Sequence, residues 1–315
     1  MHKKNPFLSH NPSLLAHFRS FCYQNNPPSI EEAIDYFAVF GGSGWTIDFS
    51  LSIKALIEEK ILQNYRYIHG DLTKITHSKP QYHAMLTAIA SGDRREHAAF
   101  KKSQVGREEG EEIIDFLIKD GFLSFDKSVE KPFNEEDGHS DRLLFQLPYL
   151  RFWFAMVSPL YKSIKVAEYT EFFTNWESNR QAFSTLIYQQ LTQELILDAY
   201  ATEFEGDPIV SMGSYYDKYV QIDILAKRKS GKLLAGSCKI SKAKAKKSEW
   251  TTLQEKCEQA KLEVDDYLIF SKNKFSSELK NLKENALQLF SSRHLKTLLT
   301  DLSSKDLLAY TNKKY

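Results

Sequence analysis

Apolar residues recur at three- and four-residue spacing in Leu14–Cys22 (LLAHFRSFC) and in Ser29–Phe40 (SIEEAIDYFAVF). This predicts two amphipathic helices parted by Pro27-Pro28. Ser29 followed by Glu32 has the spacing of a capping box at the start of the second helix. Ser52–Leu62 (SIKALIEEKIL) repeats the helical pattern. From residue 80 the elements shorten. Tyr82–Gly92 is a helix stopped by glycine, and Asp93–Ser103 is a second helix opened by an Asp cap. A third helix, spanning about Arg107–Lys119, stops at Gly121 and passes into a strand at Phe122–Phe125. The polar loop NEEDGHSD (134–141) then leads to a second strand, Leu143–Leu147.

The last 130 or so residues have a different rhythm. Phe183, Ile187, Leu191 and Leu195 lie at four-residue spacing in Ala182–Tyr200 and predict a long amphipathic helix. Pro208–Tyr216 reads as a strand. Val220–Lys227 alternates, with Val220, Ile222, Ile224 and Ala226 on one face and Gln221, Asp223, Leu225 and Lys227 on the other. A turn at Ser230-Gly231 returns the chain along Lys232–Ile240. Ser248–Glu263 is a helix and Asp266–Ser271 a buried strand. The order α-β-β-β-α-β belongs to the α/β class.

Three short helices followed by a two-stranded hairpin is the order of a winged helix-turn-helix, whose third helix can enter the DNA major groove. The charge pattern there points two ways. Arg94, Arg95, Lys101, Lys102 and Arg107 are basic, yet the third helix opens with Glu108, Glu109, Glu111 and Glu112. Acids suit a helix N-terminus but repel phosphate, so DNA reading and protein docking both stay open for this element. Five aromatic residues, Tyr149, Phe152, Trp153, Phe154 and Tyr161, crowd the stretch that follows. They fit a packed core between flanking domains or a base-stacking platform. The organisation expected is a helical region over 1–79, a winged helix over 80–148, an aromatic linker over 149–181 and an α/β domain over 182–315.

Composition narrows the function. The 315 residues suffice for about two domains with a sizeable core. Lys and Arg number 42 against 41 Asp and Glu, so any nucleic-acid surface must be a local patch. Cys22, Cys238 and Cys257 form neither a disulfide framework nor a CxxC knuckle, which points to a reducing cytoplasm. The beginning, MHKKNPFLSHNPSLL, holds no sustained apolar segment, and Leu143–Val157 is interrupted by Gln146, Pro148 and Arg151. Neither a secretory signal nor a membrane span is expected. No phosphate loop occurs. Gly41-Gly42-Ser43-Gly44 has no Lys to reach a phosphate and reads as a flexible turn, so no nucleotide is expected. His2, His10 and His17 have no cysteine or carboxylate beside them to complete a metal site.

The hairpin with Asp223 on one strand and Lys239 on the next resembles the PD-(D/E)XK nuclease superfamily. The chain from about Lys79 onward resembles one branch of it, the nuclease-like C-terminal domain of archaeal-type ATPases, here without the ATPase module. The stretches that carry the resemblance are Tyr82–Leu147, Leu150–Pro159 (LRFWFAMVSP), the start of the AFSTLIYQQL helix, and SYYDKYVQIDILAK with LLAGSCKI. Together they span about three quarters of the chain. The resemblance implies that Asp223 is a metal-binding acid and that Lys239 orients water beside the scissile phosphate. Carboxylates in such enzymes hold Mg²⁺ against the phosphate. The family's Gly-Glu-Cys-Lys stands here as Gly236-Ser237-Cys238-Lys239, and its Phe-Glu at the first helix as Phe183-Ser184. Ser237 and Ser184 are therefore degenerate positions. A migrated acid could replace them, with Glu194, Asp217, Glu249 and Glu255 as candidates.

Directly after this motif, SKAKAKKSEW brings Lys242, Lys244, Lys246 and Lys247 close to Lys239, and Lys227, Arg228, Lys229 and Lys232 flank the hairpin turn. Such a run at the mouth of a nuclease-like cleft can hold a phosphate backbone. The expected function is sequence-tolerant DNA binding by a degenerate nuclease-like domain. The alternatives are a Mg²⁺-dependent endonuclease with a rearranged acid and a protein-interaction or regulatory scaffold with a protein partner.

Overall fold

The computed structural model describes residues 12–92, 94–126, 128–130, 142–203, 206–282 and 286–309. The NEEDGHSD loop, the Asp93 cap, His2 and His10 lie outside the described residues. Two compact units divide the chain. One comprises residues 1–125, 140–184 and 301–315, the other 126–139 and 185–300.

The first unit is mainly helical. Helix α1 (Leu14–Asn25) starts where the Ser13 hydroxyl accepts the Ala16 N–H at 3.2 Å, and ends at Asn26 in the left-handed region (φ 45°). Helix α2 (Ile30–Phe40) is capped by Ser29, which accepts the Glu32 N–H at 3.1 Å. The expected box closes differently: the Ser29 hydroxyl donates to the Glu32 carboxylate at 3.2 Å. Phe37 of α2 receives Phe18 and Phe21 of α1, with ring centroids 5.1 and 5.6 Å apart. Helix α3 (Ile53–Ile57) runs on as a π-helical turn, Glu58–Leu62, before α4 (Tyr65–Ile75).

Helices α5 (Pro80–Ser91), α6 (Glu96–Ser103) and α7 (Arg107–Lys119) follow, then strands β1 (Leu123–Asp126) and β2 (Arg142–Phe145), which pair as a two-stranded sheet. The residues ahead of α6 also bind β2, through an Arg95–Arg142 bridge and the Leu143 N–H donated to the Arg94 carbonyl at 2.9 Å. Glu108, Glu109, Glu111 and Glu112 are exposed on α7.

Helix α8 (Pro148–Phe152), a π-helical turn (Trp153–Val157), a 3-10 turn (Ser158–Leu160) and α9 (Tyr161–Lys165) come next. Four of the five aromatic residues singled out in the sequence are interior to this unit. Tyr149 meets Trp45 at 5.0 Å, Trp153 stacks on Tyr65 at 5.5 Å, Phe154 faces His83, and Phe152 packs against Phe172, Trp176 and Phe183. Buried rings cannot stack bases, and only Tyr161 remains 41% exposed. The glycine turn serves the same core. Gly42 has φ +84°, and a Cβ there would stand 2.4 Å from the Leu147 side chain. The chain returns to α1 near its end, where Arg19 pairs with Asp306 at 2.7 Å and the Leu308 N–H reaches Ser20 Oγ.

The second unit is a five-stranded mixed sheet with helices. Its boundary falls inside α10 (Thr170–Glu203), between Ser184 and Thr185. Strands β3 (Ile209–Tyr216), β4 (Gln221–Arg228), β5 (Leu233–Lys239), β6 (Asp266–Ser271) and β7 (Leu287–Ser291) lie side by side in chain order. β3–β4 and β4–β5 are antiparallel, while β5–β6 and β6–β7 are parallel. Helix α11 (Lys247–Gln259) crosses from β5 to β6, and the short α12 (Ser277–Lys280) precedes β7. Leu253 and Cys257 of α11 pack on Ile222, Leu225 and Ala235, and Trp250 on Ile269. Tyr188 of α10 lies against Phe270. Successive residues of β6 thus face different helices, so α10 and α11 cover opposite faces of the sheet.

The His17 imidazole is buried without charge in α1, and burial lowers its pKa from the ordinary 6.5 to about 4. A base held neutral in the fold takes up its proton on unfolding, so stability falls as pH drops from 6.5 towards 4. The expected loss is about 3 kcal/mol between pH 7 and pH 4. Denaturant titrations of the native chain and of His17→Gln check this. The variant should lose that part of the pH slope even if it is less stable throughout.

Candidate functional site

The geometry around Asp223 begins with a break in β4. Gly213 pairs with Leu225 and Tyr215 with Ile222, so three steps along β4 oppose two along β3. The extra residue is a β-bulge at Asp223–Ile224, and a bulge re-aims the side chains next to it. The alternation expected from the sequence is corrected here. Leu225, and not Ile224, joins Ile222 against α11. Ile224 instead faces Gly236, where a Cβ would stand 3.1 Å from Ile224 and from Leu268. Gly236 keeps this crowded contact open.

The bulge also ends the β4–β5 ladder, whose last partners are Ile224 and Gly236. Beyond it, the Asp223 carboxylate takes over the role of the missing strand. The Cys238 N–H donates to its Oδ2 at 2.9 Å, and Gln189 of α10 donates to its Oδ1 at 3.2 Å. Burial pushes the Asp223 carboxyl pKa up, and the negative charge of Glu249 adds to the rise. The Cys238 N–H bond and Lys256 oppose it. Cys238 is itself far from a thiolate, its pKa raised by burial and by the Asp223 charge.

Lys239 shares a face of β5 with Ala235 and Ser237, the α11 face. It pairs with Glu249 of α11 at 2.7 Å. Asp223 and Lys239 therefore lie on adjacent strands, as the hairpin predicts, but their side chains are bound to helices on opposite faces. Glu249, the partner of Lys239, also acts on Asp223 through its negative charge. Ser184 is buried one turn ahead of Tyr188, and Gln189 is the α10 residue that meets Asp223. The other candidate acids serve elsewhere. Asp217 holds the β3–β4 turn, accepting the Tyr219 and Val220 N–H groups at 2.6 Å and the Tyr215 hydroxyl at 2.9 Å. Glu194 is half-buried with its pKa raised by burial, and Glu255 is exposed.

This arrangement does not fit Mg²⁺. Both Asp223 oxygens accept protein hydrogen bonds, burial favours the carboxyl's neutral form, and Ser237 supplies no charge. Among the described residues no group of three or more His, Cys, Asp or Glu could hold a metal ion.

The lysine loop is built differently. Lys242, Lys244, Lys246 and Lys247 are exposed and form no ion pair among the described residues. Their loop is fixed by backbone bonds to the segment after β6. The Ala245 N–H reaches the Lys274 carbonyl at 3.0 Å, the Ser276 N–H the Ala245 carbonyl at 2.8 Å, and the Lys272 N–H the Lys239 carbonyl at 2.9 Å. Asn273 also donates to the Lys242 carbonyl. This brings the exposed Lys274 to the same rim, at the carboxyl ends of the parallel strands β5 and β6.

The hairpin-turn cations are elsewhere. β5 separates Lys229 and Lys232 from the lysine loop by about 20 Å. Arg228 is not a surface residue. It is buried, paired with Asp266 at 2.5 Å and Asp207 at 3.8 Å, and its guanidinium lies over the Tyr200 ring. Lys227 is paired with Glu130 at 2.7 Å. Only Lys229 and Lys232 of that group are exposed.

Replacing Asp223 separates its structural role from its charge. Asp223→Ala leaves the Cys238 N–H without its acceptor and should cost about 1–3 kcal/mol. Asp223→Asn keeps an acceptor and removes a buried charge, so it should be at least as stable as the native chain at pH 7. A carboxyl whose folded pKa is raised contributes stability that is lost as pH rises through that pKa. The native chain should therefore gain on the Asn variant as pH falls, which denaturant titrations at pH 7 and pH 4 will measure.

No helix among the described residues is long and apolar enough to cross a membrane. The three cysteines are free. No curated protein and no solved structure matches the chain. Residues 153–251, just under a third of the chain, match a family described as archaeal and bacterial proteins of unknown function, DUF234. The match runs from the π-helical turn through α10 and β3–β5 into α11, and so takes in Asp223, Lys239 and the lysine loop.

Proposed function

We propose that this protein binds DNA through the phosphate backbone, without cleaving it. In this reading the C-terminal unit is a PD-(D/E)XK nuclease-like domain that has lost its metal centre, and residues 80–148 are a winged helix-turn-helix. The observation that carries the proposal is the set of four exposed lysines, free of ion pairs among the described residues, on a backbone-fixed loop at the carboxyl ends of β5 and β6. The crevice outside the carboxyl ends of parallel strands is where α/β sheets bind their ligands. Cations already paired to carboxylates would have to break those pairs to take a phosphate, and these do not. The partial match to the DUF234 family supports the resemblance over the same stretch.

Loss of cleavage is supported by the use of Asp223 as a hydrogen-bond acceptor for Cys238 and Gln189 and by Ser237 in place of a second acid. For the first unit, the exposed Glu108, Glu109, Glu111 and Glu112 on α7 favour docking of a protein over insertion of that helix into a DNA groove.

Changing Lys242, Lys244, Lys246 and Lys247 together to Ala tests the proposal, because exposed side chains can be removed with little effect on the fold. Every phosphate that the variant leaves unneutralised should flatten the slope of log affinity against log salt by about 0.9 for duplex DNA. The native chain should bind duplexes of unrelated sequence alike, and the variant should bind more weakly with a flatter slope. Unchanged affinity and slope in the folded variant would contradict the proposal. So would Mg²⁺-dependent cleavage by the native protein that disappears in Asp223→Ala.

A further inference from the structure

The first unit contains a cleft of about 260 Å³ lined by Tyr65, His69, Pro80, His83, Ser158 and Tyr161. Two irregular turns of helix precede its walls. The π-helical turn Glu58–Leu62 comes before Tyr65, and the π-helical turn Trp153–Val157 comes immediately before Ser158. Such turns are uncommon and occur frequently at functional sites. The lining is fixed from behind: Tyr65 lies flat on the buried Trp153, with centroids 5.5 Å apart and planes 13° apart, and Phe154 meets the His83 ring edge-on at 5.3 Å.

The polar groups of the cleft are oriented but under-used. Ser158 Oγ and His83 Nε2 share a hydrogen bond of 3.1 Å. The other His83 nitrogen, both His69 ring nitrogens and the hydroxyls of Tyr65 and Tyr161 make no hydrogen bond among the described residues. Burial lowers the pKa of both imidazoles, with Lys165 adding to the effect at His69 and His69 to that at His83. Tyr65 is pushed up to about 12 by burial and by Tyr161. The interior is thus uncharged at neutral pH, walled by aromatic rings and rich in unfilled hydrogen-bonding capacity. The exposed cation Lys165 stands close to it, with its Nζ 5.6 Å from the Tyr161 ring centre and its charge acting on His69.

We infer that this cleft binds a small planar heterocycle carrying one anionic group, the class to which mononucleotides belong. The ring enters between Tyr65 and Tyr161 and bonds the Ser158–His83 pair and His69, while the anion meets Lys165. The volume lies just below the ~300–1,000 Å³ of pockets for drug-sized ligands, which suits one ring system. An uncharged interior favours the ring over a bare anion, because a buried anion needs a partner that neutral groups do not supply. The site is independent of the lysine loop and of the DNA-binding proposal.

Histidine side-chain NMR of the full chain tests this, with signals assigned through His69→Gln and His83→Gln. The probes are adenosine and uridine 5′-monophosphates, the two nucleosides, and ribose 5-phosphate. At least one monophosphate should shift both imidazoles at submillimolar concentration, and its nucleoside should do so about ten-fold more weakly. Ribose 5-phosphate should leave them in place. Lys165→Ala should reduce the monophosphate to its nucleoside's affinity without changing the nucleoside's. Ser158→Ala should weaken both alike, and the lysine-loop variant should bind as the native chain does. No shift with either monophosphate up to several millimolar would overturn the inference. So would equal shifts with ribose 5-phosphate, or an unchanged monophosphate affinity in folded Lys165→Ala.

Discussion

The second unit depends on how one carboxylate is used. At the bulge in β4 the ladder to β5 stops, and a strand amide that would otherwise face an apolar interior needs an acceptor. Asp223 supplies it through Oδ2, and its Oδ1 ties the same point to Gln189 of α10. An unpaired buried N–H costs as much as the desolvation of that group, so the carboxylate fixes where the β4–β5 ladder stops, how β5 continues to Lys239 and where α10 lies on the sheet. Its environment matches that task. Burial shifts Asp223 towards its neutral form against the pull of the Cys238 N–H bond, and it opposes a divalent-ion ligand.

Lys239 follows the same logic. A lysine that pairs with Glu249 contributes to the attachment of α11 to β5. The Asp223 and Lys239 charges thus hold the two helices to the sheet. The cations left unpaired lie one step further along the chain, on the loop from β5 to α11, where the backbone bonds to the segment after β6 give them a fixed base. The proposed function follows from this division of labour: charges inside the unit secure the fold, and charges at its rim remain free to meet phosphate.

Much of the fold was legible in the sequence because its signals are local. The capping Ser29 marks the start of α2, Gly121 marks the end of the third helix, and the Ser230-Gly231 turn marks the β4–β5 hairpin. The site was less legible because its determinants are not local. The alternation of Val220, Ile222, Ile224 and Ala226 looks unbroken, and a single inserted residue in the pairing puts Leu225 in place of Ile224 beside Ile222. Nothing in SGKLL announces that Arg228 will find Asp266, 38 positions later, and leave the surface. Gln189 does not stand out, because a glutamine on a long helix has no signature of its own. The one usable hint is its place on the same helix as Ser184, five residues on. The aromatic run before α10 was readable as buried rings. Its partners, Trp45, Tyr65 and Phe172 among them, come from segments distant in sequence, which only the folded chain brings together.

The claim that Asp223 serves the fold and not a metal is tested most directly by Mn²⁺ binding to the full chain, read from the paramagnetic relaxation of water protons at neutral pH. The account predicts weak, non-stoichiometric binding that is the same in the native chain and in Asp223→Asn. One Mn²⁺ bound per chain at micromolar concentration, and lost in Asp223→Asn while that variant stays folded, would contradict it.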